Sequence, residues 1–426
     1  METRDTNTRK NLNIVIDGNY FFHKTLPVYF SSDDAVSIPK LTSEEDQGFY
    51  ARKLIMDFAY MMRNLFFPTL NNVILVFDSR SWRKDIEIHE NAGYKSNRVK
   101  SSTINWEGFY EVLNKFSDLM QEQHIFVSRV KGAEGDDLLH LYAQKFLSIG
   151  EDTIAVTGDK DIWQIVNNKN DNFVSVLVNN SKFSKLILDM PTYQRTLNEN
   201  ATIMDPQGYY NNFINLSKLE DSGFKRNELD PIKHSFEKIF PGDAGDGVPP
   251  VVSWSKKQKN GTDRIYRITG AKTKEIWAYM DNKYTGWDRI FNLTSDADFD
   301  TIYRLMVKCT FDKKLGMSHI ESQNLSKEYI KDQLNRNIKL MVLHDKVIPQ
   351  DIIDGFEEQY KVLTTKFNYL KYQFKFDAFN YKDLITRGGF GRVDKSADYF
   401  ESTKKTMKTL DKDDFFNDDE DGVILN

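Results

Sequence analysis

Five short apolar runs of this 426-residue chain end on carboxylates or lead straight into them. The runs beginning at Asn13 and Asn72 read as short strands that close on Asp17 and Asp78. Glu134, Asp136 and Asp137 stand together at a helix start, Asp159 and Asp161 flank Lys160, and Asp243 and Asp246 follow Phe240-Pro-Gly. A single Asp after a strand has an ordinary explanation as a helix cap or turn former. Three acids where one cap would serve do not. In an open parallel sheet the carboxyl ends of the strands border the crevice where ligands bind, so these side chains are expected to converge. Carboxylates crowded in one crevice disfavour each other's ionised forms. Hard divalent cations held by oxygen ligands resolve that conflict; Mg2+ is the expected ion, with Mn2+ able to substitute.

The elements that would position these acids follow from the alternation of apolar strands with helical stretches, which predicts an α/β fold with a mostly parallel sheet. Thr42-Ser-Glu-Glu45 is a capping-box pattern, and Phe49, Leu54, Ile55, Phe58, Met62 and Leu65 continue it at helical spacing. A charged stretch follows the second strand, through about residue 102, without the continuous apolar stripe of a packed helix. Helical character returns over 104–120, where Trp106, Phe109, Val112, Leu113 and Phe116 are packing candidates. Strands are expected near 124–129 and 152–157, with a terminal pair at 173–178 and 183–188. Beyond about residue 230 helices are expected to dominate. Arg387-Gly-Gly-Phe-Gly391 reads as linker, since no strand leads into it and no Gly-Lys-Thr follows. The domains expected are therefore 11–230, a helical 231–390 and a disordered acidic tail, 391–426.

Composition narrows the function classes. With 40% hydrophobic and 28% charged residues the chain reads as soluble and globular. The polar N-terminus lacks the apolar core of a signal peptide, and no run is long enough to span a bilayer. The lone Cys309 excludes an intramolecular disulfide and a thiolate zinc cage, which fits a reducing compartment, and the seven histidines show no zinc-type spacing. The net charge of -5 sits wholly in residues 394–426, where ten acids face five lysines, so the rest of the chain balances. An acidic site within a balanced body leaves basic surface elsewhere. Arg80, Arg83, Lys84, Lys95, Arg98 and Lys100 form one such stretch, and Lys256, Lys257, Lys259, Arg264 and Arg267 another. Basic stripes are the usual footprint of a phosphate backbone.

Taken in order, Glu134-Gly-Asp136-Asp137, Gly158-Asp159-Lys-Asp161 and Gly242-Asp243-Ala-Gly-Asp246-Gly-Val-Pro resemble the motifs of the flap endonuclease and 5′-nuclease superfamily. So do Ser81-Trp82-Arg83-Lys84-Asp85, Tyr94-Lys95-Ser-Asn-Arg98 and Trp106-Glu107-Gly108. The likeness runs from about residue 13 to 390 and is greatest to the T-even bacteriophage ribonuclease H group, which are 5′ to 3′ exonucleases and flap nucleases. It implies a PIN-like domain with a helical arch, followed by a helical domain carrying a helix-three-turn-helix-like element. It also implies that Asp17, Asp78, Glu134, Asp136, Asp137, Asp159, Asp161, Asp243 and Asp246 surround two Mg2+ ions. Lys95 and Arg98 match basic arch positions that steady the scissile phosphate, with Tyr94 stacking on an unpaired base or packing in a helix, and Arg83 contacting nucleic acid. Lys256, Lys257 and Lys272 fall where the family grips duplex phosphates and often a K+. Gly247 replaces the usual Asn there, Pro250 the usual Gly, and a basic insertion precedes Gly270, so the chain departs from the K+ pattern.

The resemblance implies a Mg2+-dependent nuclease of DNA flaps and of RNA in RNA-DNA hybrids, active in primer removal, monomeric, and placed in the cytoplasm (that of a bacterial host for a phage-encoded chain). The alternatives are a catalytically silent nuclease fold that binds the replisome, which the intact set of acids opposes, and a phosphatase of small phosphoesters, which the basic stretches oppose. Phe415 and Phe416, set in the acidic tail, suggest a hook for a sliding clamp or a single-stranded-DNA-binding protein.

Overall fold

A computed structural model of the chain describes residues 12–28, 41, 43–65, 72–88, 93–98, 105–122, 125–170, 172–179, 184–189, 225–257, 263–268 and 270–367. Thr42, the linker near Gly388 and the tail with Phe415 and Phe416 lie outside these residues.

The chain begins with β1 (Leu12–Asp17), α1 (Gly18–Val28), α2 (Glu44–Leu65), β2 (Asn72–Val76), a 3-10 turn at Trp82–Asp85 and α3 (Trp106–Glu122). Next come β3 (Phe126–Ser128), α4 (Gly135–Ser148), β4 (Asp152–Val156), a 3-10 turn at Lys160–Ile165, β5 (Asn167–Lys169), β6 (Asn172–Asn179), β7 (Ser184–Asp189) and β8 (Lys225–Leu229). The remainder holds α5 (Pro231–Ile239), a hairpin of β9 (Ser253–Lys257) and β10 (Asp263–Arg267), and α6 (Gly270–Lys283), α7 (Asp288–Phe291) and α8 (Phe299–Cys309). The two-residue strands β11 (Phe311–Asp312) and β12 (Met317–Ser318) precede α9 (His319–Ser322), α10 (Lys327–Met341) and α11 (Gln350–Val362).

The main sheet runs in the order β3-β2-β1-β4-β6-β7-β8, with β5 paired to β6. The five strands β3, β2, β1, β4 and β6 are mutually parallel, and the antiparallel β6–β7 pairing makes the sheet mixed. Because β1 has β2 on one side and β4 on the other, the connections diverge at its carboxyl end, which is where a parallel sheet opens its ligand crevice. Every residue of β1 is buried, as expected of a strand covered on both faces. One cover is aromatic: Phe21 and Phe22 of α1, Phe58 of α2 and Phe109 and Phe116 of α3 pack mostly edge to face, with Phe77 beside them. The other is α4, against which Ile352 and Phe356 of α11 pack in turn.

A second apolar cluster gathers Phe236, Phe240, Val251, Trp254, Ile276, Met280, Ile302 and Leu334. The basic insertion within it is a strand pair, in a stretch where helices are expected to dominate. Trp254 faces Tyr266 across the two strands with rings stacked at 6.0 Å, a cross-strand aromatic pair that favours pairing despite the surrounding charge. The α1 helix is also absent from the sequence reading, since Gly18 and Pro27 at its ends disguise it; burial of Phe21 and Phe22 outweighs its weak propensity.

Near the second cluster Asp298 has no exposed surface and accepts hydrogen bonds from Tyr279 (2.7 Å), Ser295 (2.9 Å), Tyr284 and Lys283. Burial pushes its carboxyl up, but those donors outweigh burial and hold it below the usual carboxylate range. A folded pKa below the unfolded one gives stability that is complete above the unfolded value of about 3.9 and is lost as pH falls through the folded value. Asp298→Asn should therefore lower the urea midpoint at pH 6, with the gap from wild type closing below about pH 4. Paired denaturation curves check this, and a gap independent of pH would contradict it.

Candidate active site

The acids meet at the carboxyl ends of β1, β2 and β4. Asp17, the last residue of β1, accepts the Tyr20 backbone N–H at Oδ1 (2.9 Å) and the Thr157 hydroxyl at Oδ2 (2.9 Å). Asp78, two residues past β2, accepts the Gly135 backbone N–H at 2.6 Å. Gly135 fits here because a Cβ on it would stand 3.1 Å from that Asp78 oxygen and 4.0 Å from Oδ1 of Asp17. Glu134 caps α4, Asp136 lies in its first turn, and Asp159 caps the 160–165 turn by accepting the Asp161 N–H at 2.8 Å. Glu134, Asp136, Asp159, Asp161, Asp243 and Asp246 line one cleft. The last two are set by a tight loop in which Asp243 and Val248 bridge and the Asp243 carboxylate accepts the N–H of Gly245 (2.7 Å) and of Asp246 (3.2 Å). Gly242 has φ +67°, and a Cβ there would lie 2.4 Å from the Val248 carbonyl oxygen, so the loop requires glycine. Gly247, at φ +69°, holds a left-handed position that Asn also tolerates.

The charge is uneven. Burial, then the Asp78 and Asp159 charges, push Asp17 up to about 7 against its two hydrogen bonds. Burial likewise raises Asp78, Asp136 and Asp159, and Asp136 is raised further by Asp159 and Asp17. Glu134 moves the other way, since Lys95 and Arg83 outweigh its burial. Lys95 Nζ lies 2.8 Å from Glu134 and 3.9 Å from Asp246, Arg98 pairs with Asp246, and Lys238 pairs with Asp161. With these cations seated, no three His, Cys, Asp or Glu side chains among the described residues are grouped to hold a metal ion as they stand. The donor set nonetheless suits one. Four carboxylates pushed toward their neutral forms are the unbalanced charge that a divalent cation, ligated partly through its own waters, relieves.

Three expectations are corrected. Arg83 is 1% exposed and cannot reach DNA; its guanidinium is committed inside the protein. Asp137 is fully buried and does not line the cleft, because both of its oxygens are bonded to Arg83 and one of them also to Trp82 and the Glu134 N–H. Tyr94 is buried too, with its hydroxyl near Asp246 (3.0 Å) and Glu134 (3.3 Å), so it braces acids rather than offering a face to a base. The charged stretch after β2 is accordingly packed in part, through Arg83, Ile88 and Tyr94. Its described residues form a 3-10 turn and a further turn at 94–97 rather than an arch helix, and 89–92 and 99–104 lie outside the described residues. Residues 93–98 are tied to the 243–248 loop by Lys95 N–H to the Asp246 carbonyl (2.8 Å) and Asn97 to the Ala244 carbonyl (2.9 Å). Lys95 takes φ +57° to do so.

Lys272 is exposed and lies over the Trp254 ring at 5.1 Å, and Lys256 and Lys257 pair in register with Arg264 and Asp263 across the hairpin. Lys272 does not line the acid cleft. Sequence reasoning missed Lys238 and Thr157. Their only signals were a basic residue in the last turn before Pro241-Gly242-Asp243 and a hydroxyl between β4 and Asp159, and both patterns are common.

The sequence profile described as the 5′-3′ exonuclease, N-terminal resolvase-like domain matches residues 13–197. This stretch is similar to the 5′-3′ exonuclease N-terminal domains. DNA polymerase I of Chloroflexus aurantiacus is 33% identical to the chain over 94 residues, 22% of the chain and 9% of the polymerase, so the match spans less than a tenth of that enzyme. Among solved structures, a T5 protein co-crystallised with metal ions aligns at TM-score 0.43 and 12% identity over 83% of this chain and 99% of its own. The bacteriophage T5 flap endonuclease in a pseudo-enzyme-product complex with DNA and metal ions aligns at TM-score 0.39 and 14% identity, over 89% and 100%. At such TM-scores neither bears on chemistry. The mixed, mostly parallel sheet is of the resolvase-like, PIN type. Among the described residues no helix is long and apolar enough to cross a membrane.

Proposed function

We propose that the chain is a Mg2+-dependent, structure-specific 5′-nuclease, a 5′ to 3′ exonuclease and flap endonuclease that clears DNA flaps and primer RNA during replication. The observation that carries this reading is the convergence of uncompensated carboxylates from β1, β2, α4 and the 159–161 turn at the open end of a 5′-nuclease sheet. Asp17, Asp78, Glu134, Asp136, Asp159, Asp161, Asp243 and Asp246 are the residues that would hold two divalent ions, several of them through water. When bound, such ions polarise a phosphate and lower the pKa of an attacking water.

The protein's own groups do the rest. Lys95 and Arg98, which pair with Glu134 and Asp246, would meet the charge of a scissile phosphate in the cleft. Tyr94 keeps Glu134 and Asp246 in place. The β9–β10 hairpin and Lys272 supply duplex phosphate contacts from the helical domain, 231–390, whose departures at Gly247 and Pro250 argue against a K+ site. A monomer in a reducing cytoplasm suits the single cysteine.

Structure specificity is tested by incubating the protein and Mg2+ with a 5′-labelled flap, a nicked duplex and an RNA-DNA primer hybrid. Faster release of label from the flap and the hybrid than from the nicked duplex is expected. Equal rates on all three, or attack only on small phosphoesters, would contradict the reading.

The acidic tail is read as the partner hook. A charged segment gains little from Phe415 and Phe416 unless a groove receives them. Deleting residues 411–426 should leave cleavage of naked flap unchanged and remove stimulation by the sliding clamp or the single-stranded-DNA-binding protein of the same replication system. Undiminished pull-down of both by the truncated chain would contradict the assignment.

A further inference from the structure

Arg83 makes more bonds inside the protein than a lone structural ion pair requires. Nη2 reaches Asp137 Oδ1 at 2.8 Å, Nη1 reaches Asp137 Oδ2 at 3.0 Å and Glu134 Oε2 at 3.2 Å, and Nε donates to the Leu340 carbonyl at 3.1 Å. The Trp82 ring lies 4.6 Å from the guanidinium carbon, and its indole N–H donates to Asp137 at 3.1 Å. Asp137 also accepts the Glu134 backbone N–H at 3.0 Å, so both the main chain and the side chain of Glu134 are fastened to one Arg–Asp pair. The other Glu134 oxygen, Oε1, meets Lys95 in the cleft. Asp137 alone balances the Arg83 charge, which leaves the bond to Glu134 unnecessary for neutrality. Its consequence is directional: a planar fork anchored on three sides fixes one oxygen of Glu134 and thereby aims the other.

We propose that Arg83 is a positioning residue for the nuclease reaction, holding Glu134, with Asp137 as its backstop, in the orientation that gives the cleft its affinity for divalent metal ions. This rests on the nuclease reading given above. Groups that orient metal-binding side chains typically change metal affinity by about 10- to 100-fold when removed. A pair that served only to neutralise buried charge would not.

The test compares wild type with Arg83→Lys, Arg83→Met and the double variant Arg83→Met/Asp137→Asn. Mn2+ binding is read by the resonance of the free ion, thermal midpoints are taken without metal, and flap cleavage is followed against Mg2+ concentration. Arg83→Met strands the Asp137 charge and should lower both the midpoint and the Mn2+ affinity. The double variant removes both charges while the amide of Asp137→Asn keeps an oxygen for the Glu134 N–H, so its midpoint should recover while Mn2+ affinity stays roughly tenfold down. Arg83→Lys keeps the charge without the fork; it should weaken Mn2+ binding, raise the Mg2+ needed for half-maximal cleavage, and change the midpoint little. A double variant that recovers affinity together with stability, or a lysine variant that binds Mn2+ like wild type, would reduce Arg83 to a folding role and overturn the inference. A wild-type protein that neither binds Mn2+ nor cleaves would overturn the nuclease reading itself, and this inference with it.

Discussion

Asp136→Asn or Asp159→Asn is expected to abolish flap cleavage, by about a thousand-fold or more, while flap binding stays within several-fold of wild type. The two carboxylates sit at the centre of the unbalanced charge, each raised by burial and Asp136 further by Asp159. The basic groups read as holding DNA stand on other elements, the β9–β10 hairpin and the start of α6 at Lys272. On the proposed reading, removing one acid would remove a metal ligand and leave the phosphate contacts. A second consequence separates this loss from unfolding. A carboxylate whose folded pKa is raised costs stability where it is ionised, so either Asn variant should melt at or above the wild-type temperature without metal. Single-turnover cleavage, anisotropy of a labelled flap and a melting curve measure the three quantities. Near wild-type cleavage, or a loss of activity that follows a lowered melting temperature, would count against the site.

The next largest effect is expected at Lys95. Its ammonium lies on Glu134 and close to Asp246, at the place where cations would otherwise neutralise those acids. Lys95→Ala should lower single-turnover cleavage by about a hundred-fold, the usual cost of one group that stabilises charge in a transition state, and lower duplex affinity only a few-fold. The backbone adds little to the effect, since Lys95 already holds φ +57° and alanine meets no new strain there. Equal losses in rate and affinity would assign Lys95 to simple binding.

The acids and the parallel strands were legible because each obeys a short-range rule: Asp17 follows the apolar run Ile14-Val15-Ile16, and Asp159 opens a turn after Ile154-Ala155-Val156. What could not be read was which way each neighbour points. Asp136 and Asp137 are adjacent on one helix, yet the first faces the cleft and the second faces Arg83, a difference of one residue's rotation that no spacing rule reports. Arg83 looked like surface because it stands among charges, and only Asp137, Glu134 and the Leu340 carbonyl, all distant in sequence except in the fold, reveal it as buried. The β9–β10 hairpin was hidden for a related reason. Its lysines and arginines mask the alternation of a strand, while the Trp254–Tyr266 pair that holds the strands together is separated by the turn.

Whether the converged acids form a metal-dependent nuclease site is decided by cleavage of a 5′-labelled flap across a Mg2+ titration that starts from protein stripped with EDTA. No cleavage is expected in EDTA, with a saturable return of 5′-labelled product as Mg2+ is added. Cleavage that persists in EDTA, or flap that is bound yet stays intact at every Mg2+ concentration, would contradict it.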